Sequence, residues 1–132
     1  LTILYTVKAI SNAFLVSGAM FGGMSLFGRL TKKDLSGLGS FMMMGLFGLI
    51  GAMFINLFMG SGAFEFVINV IGVIVFAGLT AYDTQKLREI SIVELQGGEA
   101  AFKSSIIGAL TLYLDFINIF LFILRLSGGS RD

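Results

Sequence analysis

Asp83 and Asp115 are the residues of this chain whose type and setting most demand a chemical explanation. Asp83 closes the apolar run Phe66–Tyr82, and Asp115 sits in the middle of Ile106–Leu124. An ionised carboxylate at membrane depth is costly, and such acids face a partner or an aqueous cavity. Two of them on successive apolar segments could share one site. Asp83 lies within a turn of Lys86 and could snorkel to the interface. Asp115 cannot, because it is about ten residues, or ~15 Å, from either end of its segment.

Composition narrows the classes. Of 132 residues, 56% are hydrophobic and 13% charged, with a mean hydropathy of +0.94. A soluble domain of this size needs more polar surface, so the bilayer must be most of the solvent. The absence of Cys and His removes disulfides, thiol nucleophiles, zinc sites and histidine-based triads together. No cofactor is implied. The net charge of +1, with no basic patch interleaved with aromatics, argues against nucleic acid as a partner.

Charges divide the apolar sequence into four blocks of spanning length, about 20 residues each. The fold class expected is therefore an all-α integral membrane protein, one transmembrane helical domain over residues 1–132 with spans at about 8–28, 35–59, 63–90 and 103–126. Gly60-Ser61-Gly62 reads as a tight turn. Thr31-Lys-Lys-Asp34 offers capping chemistry ahead of the second span. The stretch Glu89 to Glu99, holding Gly97-Gly98, reads as the only loop of any length. Arg29, Lys32, Lys33, Lys86, Arg88 and Lys103 fall on one side, against Lys8, Arg125 and Arg131 on the other. The positive-inside rule puts the first set in the cytoplasm. The expected setting is the bacterial plasma (inner) membrane, crossed several times, with lipid as the principal partner. Leu1 stands where Met would begin a chain and nothing near it resembles a signal peptide, so a truncated start is expected.

Polar seams suggest which faces turn inward. The fourth span carries Ser104, Gly108, Thr111, Asp115, Asn118, Phe122 and Arg125, with Ile107, Leu110, Leu114, Ile117, Leu121 and Leu124 opposite. The third repeats the pattern with Asn69, Gly72, Phe76, Thr80 and Asp83. The second offers Gly45, Gly48, Ala52 and Asn56, and the first Ser11, Gly18, Gly22 and Ser25. Packing explains the Gly and Ser positions best, whereas Asn56, Asn69 and Asn118 fit either interhelical hydrogen bonds or a functional interior. Asp83 is ~10 Å and Asp115 ~15–18 Å from the cytoplasmic ends of their spans. A modest tilt would let them meet.

Three segments also match a known family. Val75-Phe-Ala-Gly-Leu-Thr-Ala-Tyr-Asp-Thr-Gln-Lys86 resembles the signature of the transmembrane Bax inhibitor motif family, in its bacterial YccA-like branch. Leu112-Tyr-Leu-Asp-Phe-Ile-Asn-Ile-Phe120 is similar to its last-helix motif. Met24-Ser-Leu-Phe-Gly28, Thr31-Lys-Lys-Asp-Leu-Ser-Gly37 and Gly39-Ser-Phe41 fit its middle segment. The resemblance implies a seven-helix bundle of which this chain holds the last four helices, with three more before Leu1. It implies that Asp83 and Asp115 are the family's di-aspartyl pH sensor, associated with calcium leak across the membrane. They would serve as pH sensor, ion pathway and a weak, transient calcium site, with Asn118, Thr111, Thr80, Asn69 and Asn56 as supporting polar interior. The insertion-like stretch Ser91–Ala101 is expected to lengthen the path between the acids.

Two other readings stay open. YccA-like members are linked to FtsH-type membrane proteases, so a modulator or bound partner of such a protease is an alternative to the leak. Paired aspartates, one after Tyr82, also resemble presenilin-type intramembrane aspartyl proteases. Those enzymes use a Gly-x-Gly-Asp helix and a Pro-containing motif, whereas Asp115 follows Leu112-Tyr-Leu and Pro is absent. A non-enzymatic protein is therefore expected.

Overall fold

The computed structural model describes residues 2–94 and 98–127. They form four helices, α1 (Thr2–Leu30), α2 (Ser36–Met59), α3 (Gly62–Glu94) and α4 (Glu99–Leu126), and no strand occurs among the described residues. Each helix is long and apolar enough to cross a membrane, over Thr6–Leu30, Ser36–Met59, Gly62–Glu89 and Phe102–Leu126.

The ends of the elements follow from local chemistry. Gly60 adopts φ 63°, a left-handed conformation that glycine enters without a Cβ clash. Its N–H closes on the Asn56 carbonyl at 2.7 Å. Asn56 Oδ1 then accepts the Ser61 N–H at 3.1 Å, and Ser61 Oγ accepts the Phe64 N–H at 3.1 Å to cap α3. The expected turn is therefore there, built by Asn56 and Ser61. The capping segment works differently from expectation. The N-cap position of α2 is Leu35, with no side-chain cap. Asp34 nonetheless accepts the Ser36 N–H at 3.0 Å and the Ser36 hydroxyl at 2.7 Å.

Two expected boundaries are corrected. α1 begins before Lys8, because nothing in residues 2–7 breaks a helix. The expected loop over Glu89–Glu99 is mostly helix. α3 runs on to Glu94 and α4 starts at Glu99, since the first breaking residues are Gly97-Gly98. Gly98 has φ 123° and precedes α4; residues 95–97 lie outside the described ones. Within Ser91–Ala101, residues 91–94 thus continue α3 and residues 99–101 begin α4.

α3 is the central helix. It packs against α1, α2 and α4; α1 also packs against α4, whereas α2 packs against α3 alone. Accordingly α3 buries Ile68, Val73, Val75, Phe76, Ala77, Leu79 and Ala81, more than one stripe. α2 instead exposes Phe41, Met44, Phe47, Phe54 and Phe58, a surface suited to lipid. On α1 the packed stripe is Ala9, Ala13, Ser17 and Gly28. The expected stripe differs: Ser11 is exposed, and Gly18 and Gly22 have open space where a Cβ would be. Phe14 and Phe21 of α1 meet Phe116 of α4 edge-on, with centroids 5.8 and 5.4 Å apart.

Candidate ion site between α2, α3 and α4

Because α2 and α4 each lean on α3 without touching one another, a cavity of about 690 Å³ opens between them. α2 supplies an apolar wall of Met43, Leu46, Leu49, Ile50 and Met53. α3 supplies Phe76, Leu79, Tyr82, Asp83 and Lys86, and α4 supplies Thr111, Leu114, Asp115, Asn118 and Phe122. Within this cavity the Asp115 carboxyl lies within hydrogen-bonding reach of the Asp83 carboxyl. Asp115 is buried, Asp83 half-buried.

Helix register explains the meeting. The antiparallel helices α3 and α4 are fixed above and below the acids by close contacts. Two turns before Asp83 is Phe76 and two turns after Asp115 is Phe122, and these rings stack with centroids 5.9 Å apart. Phe122 also lies over Gly72, where a Cβ would come within 2.8 Å of the ring. On the other side of the acids, Leu87 lies 2.8 Å from where a Gly108 Cβ would stand. Glycines at 72 and 108 therefore let α3 and α4 approach at both ends of the pair, which brings the acids to one level.

Two carboxylates offer acceptors only, so a hydrogen bond between them requires a proton. Asp115 Oδ2 is buried and has no hydrogen-bond partner. A second, smaller cavity of about 210 Å³ shares Asp83, Lys86 and Thr111 with the first. It continues past Leu87, Ser104, Ile107 and Gly108 toward the α3–α4 connection. The acid pair thus sits between a cavity in the middle of the bundle and one at its end.

The remaining expected site residues divide. Asn118 and Thr111 line the cavity with the acids; the Thr111 hydroxyl is committed to the Ile107 carbonyl at 2.9 Å. Thr80 is fully buried but donates to the Phe76 carbonyl at 2.7 Å and does not line the cavity. Asn56 and Asn69 belong elsewhere, in a third cavity of about 520 Å³ with Glu65 and Arg125 that adjoins the first at Ile50 and Met53. They are placed there because Asn56 works in the α2–α3 turn and Asn69 lies about four turns before Asp83 on α3. Asn69 Oδ1 is buried without a partner.

Sequence reasoning missed Tyr82 and Lys86 as site residues. Lys86 stands one turn beyond Asp83, and that spacing was the available signal. It shares the wall without closing an ion pair on Asp83: the salt bridge among the described residues is Lys103–Glu99, at 3.7 Å. No group of three or more acidic residues that could hold a metal ion forms among the described residues.

Four apolar helices around a buried acid pair define a multi-pass α-helical membrane protein. Comparison with known proteins identifies which kind. A family described as "Inhibitor of apoptosis-promoting Bax1" matches residues 1–132, and the chain belongs to this Bax inhibitor family. It is 53% identical over 128 residues to an uncharacterized protein of Deinococcus radiodurans, covering 97% of this chain and 54% of that protein. It is 48% identical over 130 residues to the inner membrane protein YbhL of Escherichia coli, covering 98% of this chain and 56% of the relative. An uncharacterized membrane protein of Streptococcus pyogenes is 41% identical over 126 residues, covering 96% of this chain and 54% of the relative. The chain spans about half the length of these curated relatives. Four spanning helices and a relative named for the inner membrane place it in the bacterial inner membrane.

Proposed function

We propose that this chain carries the sensor and part of the pathway of a pH-sensitive cation leak, with calcium as the permeant ion that the family resemblance points to. The observation that carries the reading is the approach of the Asp83 and Asp115 carboxyls, on different helices, between two cavities. Two carboxylates within hydrogen-bond reach in a low-dielectric site cannot both be ionised cheaply, and the titration belongs to the pair. A shared proton ties α3 to α4. Its loss leaves two like charges, which separate the helices or admit a cation.

The site's chemistry favours passage over storage. Calcium takes six to eight oxygens, whereas this cavity offers two carboxylates, the Asn118 amide and the Thr111 hydroxyl. The Phe76–Phe122 stack walls this cavity, which adjoins the one around Asn69 at Ile50 and Met53.

The test is cation flux into proteoliposomes measured as a function of pH, since two interacting carboxyls titrate as a unit. Wild type is expected to show a pH-dependent flux. Asp83→Asn and Asp115→Asn should each abolish the pH dependence, since the amide donates to the remaining carboxylate as the shared proton did and leaves no second carboxylate to ionise beside it. Identical profiles for all three proteins would mean that the aspartates are structural. No flux, together with co-purification of an FtsH-type protease, would favour the modulator reading.

A further inference from the structure

On the α1 side of α3, Arg29, Thr84, Leu87 and Arg88 line a separate cavity of about 300 Å³. Two arginines line it, and among the described residues no acid does. Arg88 Nη1 donates to the main-chain carbonyl of Arg29. That bond holds the Arg88 head in place through an uncharged acceptor and leaves its other N–H groups for a second partner. The nearest described carboxylates in sequence are engaged or directed elsewhere. Asp34 is held by the Ser36 N–H and hydroxyl. Asp83 faces the α4 side. Glu89 is exposed and does not line the cavity. Two like charges on one cavity wall repel, and an anion between them turns that repulsion into attraction.

The depth of the cavity says which anion. Arg29 lies in the last turn of α1, whose spanning segment ends at Leu30, and Arg88 lies next to Glu89, where the α3 segment ends. Both guanidiniums therefore stand at headgroup level, on the side carrying most of the chain's positive charge. Leu26 and Leu30, on either side of Arg29 in sequence, are exposed apolar surface. Guanidinium forks match phosphate oxygens in pairs, and basic pockets between transmembrane helices on the cytoplasmic side accept anionic headgroups.

We propose that the Arg29–Arg88 cavity binds the phosphate of an anionic phospholipid headgroup in the cytoplasmic leaflet. The site is independent of the acid pair. Its occupant would bridge α1 and α3, which otherwise meet there through the Arg88–Arg29 contact.

The experiment is phosphatidylglycerol binding to the purified protein in neutral detergent, followed by lipid adducts in native mass spectrometry and by the thermal midpoint. Phosphatidylcholine and inorganic phosphate are the comparison probes. Phosphatidylglycerol should bind and raise the midpoint. Arg29→Gln and Arg88→Gln should each weaken it about fivefold, the effect of one basic residue at an anionic surface. Lys32→Gln and Lys33→Gln, on the exposed loop outside the cavity, should change it less than twofold. Where a glutamine variant is poorly folded, Arg29→Lys serves instead: it keeps the charge and the main-chain carbonyl that Arg88 binds, loses the fork, and should weaken binding while the lipid-free midpoint holds. Equal losses from the lysine and arginine variants would mean diffuse charge and no site. An equal midpoint rise from millimolar inorganic phosphate would overturn the lipid assignment.

Discussion

Gly28 offers the sharpest test of how these helices are held. A Cβ at Gly28 would overlap the Ala81 carbonyl oxygen and lie 2.8 Å from Ala81 C and 2.9 Å from Ala81 Cα. All three atoms are backbone, so no rotamer change can clear the space. Gly28→Ala must therefore push α1 off α3, at a cost near the top of the overpacking range, ~3 kcal/mol. The better helix propensity of alanine offsets ~1 kcal/mol of this, which leaves a net loss of about 2 kcal/mol. Gly22 lies on the same helix with nothing within 4 Å of its would-be Cβ. Gly22→Ala should thus gain up to ~1 kcal/mol from propensity alone. The two substitutions should differ by roughly 3 kcal/mol in unfolding experiments in detergent micelles. Second-site changes separate backbone from side-chain obstruction. At Gly39 the obstacle is the Tyr82 ring, 2.6 Å from the would-be Cβ, so Tyr82→Ala should relieve much of the damage of Gly39→Ala. Ala81→Gly should not rescue Gly28→Ala, because the atoms in the way remain. Rescue there, or equal stability of the Gly28 and Gly22 variants, would refute the α1–α3 contact described.

Three further outcomes follow from other parts of the molecule. Single cysteines at Ser36 and Glu99 should resist an impermeant reagent in whole cells while those at Gly62 and Ser127 react, as the charge asymmetry requires; labelling at Ser36 would invert the orientation. Gln85 accepts the Leu35 N–H at 2.9 Å and donates to the Lys33 carbonyl at 2.6 Å. Gln85→Leu should therefore cost about 1–3 kcal/mol by stranding buried groups and speed hydrogen exchange at Leu35; unchanged exchange would show that the α1–α2 loop is held by something else. The Asp34 carboxyl is held below its ordinary 3.8 by the hydroxyl and then the N–H of Ser36. A depressed carboxylate contributes above its unfolded value and the contribution is lost as pH falls through the folded one. Protection of the Ser36 amide should accordingly drop only below about pH 4, and a drop near neutrality would point to another group.

The acid pair was legible in the sequence because the cost of a carboxylate in an apolar run is local, visible without knowing the fold. The helix faces were legible only where a polar residue marked them. On α4 the seam correctly placed Asp115 and Phe122 inside and Leu110 and Leu121 outside, whereas Ile107 and Leu114, expected outside, border cavities. It passed over Ile119 and Ile123, which are buried. In a bilayer an isoleucine facing lipid and one facing a helix sit in equally apolar surroundings, so hydropathy cannot separate them. α1 shows the same limit for small residues. Gly18 and Gly22 look like a packing stripe, yet Ala13, Ser17 and Gly28 make the contact, because what selects the face is the backbone of α3 opposite. Asn56 misled for the converse reason: a polar side chain near a turn has backbone partners at hand, and it used them. Sequence spacing put the two acids at slightly different depths. What levelled them was steric fit at a distance, Phe122 lying over Gly72 and Leu87 against Gly108. The site's chemistry is thus set by two aspartates, and its geometry by two glycines that carry no chemistry.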